Sequence, residues 1–221
     1  NRRFLRVKVL QALYAYIESG EDFVENGVKH LLDSIDKMKD LFVWQLSFLI
    51  ETKRFAENRI EENKRKNFPT KEDLNPNLRY VQNRVIIALE NNRDLRKEEE
   101  RLKINWADHQ DIIRGYYNMM RETQEYKDYM SDPVDNFEHD KKFIIRMISQ
   151  YFSELEVLID FYEEKSIFFV DDYHLVSSML VKFFTDMKAS FNEFTPLPDI
   201  YKTERDSVNE DKEFVKKLFR E

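Results

Sequence analysis

Apolar residues recur at spacings of three and four along most of the chain, the period of one face of an α-helix. In residues 2–18 the positions Leu5, Val9, Leu10, Leu13 and Ile17 keep this period with no breaker, and Gly20 then ends the predicted helix. A longer helix is predicted from about 28 to 66. Its stripe runs through Val28, Leu31, Ile35, Met38, Phe42, Leu46 and Leu49 before the charged, solvated tail from Glu61 to Lys66. Asn67-Phe68-Pro69 and Asn75-Pro76 frame a loop, with Asn75 as the expected N-cap of a short helix carrying Leu78, Val81, Val85 and Leu89.

The stretch 91–103 is charged and poor in apolar residues, which predicts an exposed helix or a weakly ordered hinge. One helix is expected over 108–130, closed by Ser131-Asp132-Pro133, and another over 136–164, with Ile144, Met147, Ile148, Tyr151, Leu155, Leu158 and Tyr162 on one face. Asp171 or Asp172 is the expected cap of a helix reaching Ser190, stopped by Pro196 and Pro198. Ser207 and Glu210 are spaced as a capping box for 211–221, where Phe214, Leu218 and Phe219 can pack inward. The chain starts without Met and stops inside a helical pattern, so a piece of a longer protein is expected.

Composition sharpens the fold class. The 221 residues hold only 3 glycines and 5 prolines, too few punctuators for a many-turned β protein, while 42% hydrophobic residues rule out disorder throughout. The expectation is an all-α, multi-helix bundle with long amphipathic helices, most of whose 18 phenylalanines and 11 tyrosines face the interior. Cysteine is absent, which removes thiolate chemistry and fits a cytoplasmic location, and no apolar run is long enough to span a membrane. A net charge of -7 argues against coating nucleic acid by bulk charge, so any such contact must be local.

Catalytic signatures are missing. No phosphate-cradling glycine loop, nucleophile elbow or HExxH occurs, and Asp171-x-x-His174 alone supplies too few ligands for a di-metal bundle. No enzyme, cofactor or metal is expected. The N-terminal helix is the exception to this plainness. With Arg2 set at zero and about 100° per residue, Leu13, Ile17 and Leu10 fall at about 20°, 60° and 80°, and Arg6 and Arg3 at about 40° and 100°. Three arginines thus extend the apolar stripe, whereas Gln11 at about 180° and Lys8 at about 240° mark the expected solvated face. Three unpaired guanidinium groups cannot be buried, so the first turns must overhang the core or meet anions: acids of this chain, an RNA backbone or a partner's carboxylates. Guanidinium suits RNA, since its planar fork binds phosphate and stacks on unpaired bases, and the helix dipole adds positive potential at this end.

The segment Arg2-Arg3-Phe4-Leu5-Arg6-Val7-Lys8-Val9-Leu10-Gln11-Ala12-Leu13-Tyr14-Ala15-Tyr16 resembles the first helix of the NusB transcription antitermination factors. The end segment from Asp211 to Glu221 is similar to the start of the NusB helix that follows the first helical pair. The stretch between is similar to the long insertion of Bacteroidetes-type NusB chains. The resemblance divides the chain into 1–19 (arginine-rich helix of the core), 20–205 (helical insertion) and 206–221 (start of the continuing, truncated core). It implies a non-enzymatic factor that binds boxA-type single-stranded RNA together with the NusE ribosomal protein, within the RNA polymerase antitermination complex. Carried over by position, it puts Arg2, Arg3 and Arg6 at phosphates and bases, with Gln11 and Tyr14 nearby. Phe4 departs from the more fully arginine-rich motif, which would lower affinity or move one contact. Two other readings stand beside it: a helical protein–protein interaction scaffold, and the NusB-like module that fronts certain RNA cytosine methyltransferases.

Overall fold

The structure, a computed structural model, describes residues 2–20, 22–152, 155–201 and 205–221, with side chains for all of these except 205–209. They form an all-α bundle of eleven helices with no strand among the described residues. In order these are α1 (Arg2–Ser19), α2 (Val24–Lys64), α3 (Lys71–Leu74), α4 (Arg84–Asn91), α5 (Arg93–Leu102), α6 (Gln110–Glu122) and α7 (Gln124–Ser131), then α8 (Phe137–Tyr151), α9 (Glu156–Lys165), α10 (Ile167–Asp186) and α11 (Arg205–Arg220). No helix among the described residues is long and apolar enough to cross a membrane.

The 41-residue α2 is the mast of the molecule, about 60 Å long at 1.5 Å per residue. Its eleven residues from Asp40 to Ile50 are buried without interruption. A helix apolar all round in its middle must be enclosed on every side, and α1, α4, α5, α6, α10 and α11 all pack against it. Trp44 and Phe48 centre an aromatic cluster with Trp106, Tyr116, Phe152 and Phe161, mostly in edge-to-face or tilted pairs.

Several helix starts depart from expectation because an unforeseen side chain caps them. Asn75 closes α3 rather than opening a helix, and Thr70 starts α3 with a full capping box to Asp73. The helix carrying Val85 and Leu89 begins only at Arg84, where the buried Asn83 accepts from the amides of Val85 and Ile86. The expected helix over 108–130 breaks at Thr123, whose hydroxyl donates to the Met120 carbonyl (2.6 Å) and accepts from the Tyr126 amide (3.2 Å), closing α6 and opening α7. The expected helix over 136–164 is likewise two, α8 ending at Tyr151 and α9 starting at Glu156. Neither Asp171 nor Asp172 caps α10. Ser166 does, five residues earlier, and α10 ends at Asp186 rather than Ser190. The capping box at Ser207 rests on a side chain outside the described residues, and α11 already starts at Arg205.

Of the two readings of the charged stretch 91–103, the structure has the largely exposed helix, α5, and not the hinge. The buried Asn92 caps α5 through the Leu95 amide, Leu95 is fully buried, and Arg101 donates to Asp40 of α2 at 2.6 Å. Its polar face is therefore tied to α2 by the Arg101–Asp40 ion pair.

Candidate nucleic-acid interface

Three anchors set the rotation of α1. Leu5, Val9 and Ala12 enter the core, and Lys8 goes with them. The Lys8 ammonium donates to both oxygens of Asp172 on α10, at 2.8 and 2.9 Å, with both side chains sealed from solvent. This overturns the expectation that Lys8 lies on the solvated face. A cation at azimuth about 240° is drawn inward because a carboxylate far along the chain meets it there. Burial is the largest influence on the Asp172 carboxyl and holds it above its ordinary value, against the pull of Lys8. Asp171, exposed beside it, accepts a long 3.4 Å hydrogen bond from the Gln11 amide at its backbone carbonyl.

The buried arc of α1 is thus displaced from the expected stripe, and the opposite arc faces water. Leu10, Tyr14 and Ile17 are 69–71% exposed and Val7 is exposed too, although Leu10 and Ile17 belong to the expected core stripe. Arg3 and Arg6 share this outward face. Neither makes a salt bridge or hydrogen bond among the described residues. The arginines therefore do follow an apolar azimuth, but one that this fold leaves uncovered.

Arg2 sits at the edge of the same face. Its Nε donates to the fully buried Asp211 of α11 at 3.2 Å, while about half of its side chain stays in solvent. The Arg2 and Arg6 guanidinium groups lie 5.2 and 5.8 Å from the centre of the Phe214 ring, also on α11. At these distances the ring quadrupole attracts cations. Asp211 and Phe214 form a platform that holds two arginines at one helix end with their donors largely unspent. Periodicity within α1 could not show that platform; Asp211 and Phe214 fall a helical turn apart in the sequence but carry no mark of their target.

Of the five residues expected at the site, Arg2, Arg3 and Arg6 are brought together, and Tyr14 lies about 12 Å further along the same face by helical rise from Arg6. Gln11 is turned away, toward α10, with its carbonyl oxygen buried and without a hydrogen-bond partner among the described residues. His174 is exposed on α10, and no group of three or more potential metal-ligating side chains occurs among the described residues. No protein family, curated protein or solved structure matches the chain.

Proposed function

We propose that this chain is a cytoplasmic, non-enzymatic RNA-binding factor of the NusB kind, acting in transcription antitermination. The observation that carries the reading is the pair Arg3 and Arg6, exposed and free of acidic partners at the N-terminal end of α1, with Arg2 beside them. The helix dipole and three guanidinium groups give an otherwise acidic chain one local anion-binding end. Single-stranded, boxA-type RNA is the proposed ligand, its phosphates on the forks and an unpaired base on Arg6 or Tyr14.

Titration of labelled boxA-type RNA across a salt series tests it. Each phosphate neutralised on a single strand contributes about -0.7 to the slope of log affinity against log salt. Three contacts give a slope near -2. Because Arg2 is already engaged by Asp211, the double variant R3A/R6A should remove about 1.4 of this slope and R2A at most about 0.7. An unchanged slope and affinity in R3A/R6A would reject the site.

One observation favours a protein partner on the same helix: the exposed Leu10, Tyr14 and Ile17, a stripe fit for a partner's apolar face. In the NusB reading that partner is a NusE-type ribosomal protein, bound beside the RNA. In the scaffold reading it binds alone. Partner capture that survives nuclease, together with indifference to short RNA, selects the scaffold.

A further inference from the structure

On the far side of α1 from the exposed arginines, a cleft of about 400 Å³ opens between the first turn of α1, α2, α10 and the segment 187–200. Its size falls in the roughly 300–1,000 Å³ range of small-molecule sites. The apolar part of the lining comes from every side: Phe4 of α1, Phe42 of α2, Met179 and Phe183 of α10, and Phe191 and Ile200 of the connecting segment. Phe42 and Phe191 each meet Phe183 edge to face, at 5.6 and 5.9 Å.

The outer wall is a loop, yet it is stapled in place. The fully buried Asn92 amide donates to the carbonyls of Asn192 (3.1 Å) and Thr195 (2.8 Å), and Asp94 accepts from the Leu197 amide (3.2 Å). Lys141 holds the Met187 carbonyl at 3.2 Å. The cleft is therefore preformed rather than a gap under a loose loop, and Pro196 and Pro198 stiffen its rim.

Charge at the mouth selects among apolar guests. Lys39, Lys182 and Lys188 line it against Asp186 and Asp199. Lys182 is held by Asp186 at 2.6 Å and Lys39 lies 4.0 Å from Asp199, while Lys188 makes no ion pair among the described residues. One ammonium is left over beside a greasy interior. We propose that this cleft binds an amphiphilic monocarboxylate, its alkyl or aryl body among the phenylalanines and its head on Lys188.

Decanoate below its micellar concentration is the probe, with decyltrimethylammonium as the control of equal chain and opposite charge, both followed by isothermal titration on the whole chain. Decanoate should bind saturably at one site and at least about tenfold more tightly than the cation. Two exposed positions give variants that leave the core intact, K188E reversing the head contact and S190W filling the cleft from its rim. Each should weaken decanoate at least about tenfold with an unchanged circular dichroism spectrum. The absence of saturable binding, equal binding of the two head groups, or undiminished binding in either variant would overturn the proposal.

Discussion

Lys8 and Asp172 are separated by 164 positions in sequence and by 2.8 Å in space, and both are sealed from water. A pair of this kind gives little net stability against an apolar pair of the same shape, but breaking it strands a charge. Lys8→Met and Asp172→Leu should each cost about 3–5 kcal/mol in denaturant unfolding, while the double variant should return to within about 1 kcal/mol of the parent. Additive losses would show that the two side chains act independently. The pH dependence has a defined sign. Burial already holds the Asp172 carboxyl above its ordinary 3.8, and removing the ammonium raises it further, so the Lys8→Met protein binds a proton there more readily folded than unfolded. Its deficit relative to the parent should shrink as pH falls through the raised value. Sequence periodicity could not reveal this pair, because a lysine opposite an apolar stripe reads as solvated until the distant acid is known. The arginines were legible for the converse reason: their position relative to one another is fixed within a single helix.

At the scale of elements, the type was legible and the boundaries were not. Helix periods over α2, α8 and α10 survive in the structure because burial of one face enforces them, whereas α1 is the expected helix turned on another face. Thr123 and Leu155 interrupt apolar stripes with no proline or glycine beside either position, so the breaks carry no compositional sign. Asn83 and Ser166 cap their helices in place of the expected Asn75 and Asp171 or Asp172, and Asn83, like the cap Asn92, is buried, where an unsatisfied helix end is most costly. The charged stretch 91–103, read as an exposed helix or a hinge, is the helix, and ion pairs also clamp the end of α4 before it. Glu90 of α4 accepts from Lys53 (2.7 Å) and Arg54 (2.8 Å) of α2. Burial pushes its carboxyl upward, but the two cations outweigh it and leave the group below its ordinary 4.5. A depressed folded value stabilises above the unfolded one and is lost as pH falls through the folded one. Glu90→Gln should therefore cost about 1 kcal/mol near pH 7, since Glu57 and Glu51 still hold the two cations. The difference from the parent should vanish below the carboxylate range, and a pH-independent difference would reject this assignment.

Over the whole molecule the arginine-bearing end depends on a three-helix junction of α1, α2 and α11. Gly27 of α2 lies under it. A Cβ there would sit 2.6 Å from the tip of the Phe219 ring and 2.8 Å from the Tyr16 ring, whose own edge-to-face contact at 5.6 Å ties α11 to α1. Phe219 is nearly fully buried, so the ring has no free space into which to retreat. Gly27→Ala should gain up to about 1 kcal/mol of helix propensity and lose about 1–3 kcal/mol to overpacking, a net loss that falls on the seat of α11. Gly115, exposed on α6 with nothing within 4 Å of its Cβ position, is the matched control, and Gly115→Ala should gain about 0.5–1 kcal/mol. Asp211 and Phe214 ride on α11 and hold Arg2 and Arg6 from below. Displacing that helix should therefore weaken the proposed binding of boxA-type RNA in Gly27→Ala even though the substitution touches no arginine, while Gly115→Ala leaves affinity at the parental level. Hydrogen exchange separates the cause, since faster exchange confined to α11 ties the loss to the platform. Equal RNA affinity in the two variants, with α11 exchange raised in Gly27→Ala, would mean that the arginines need no support from α11.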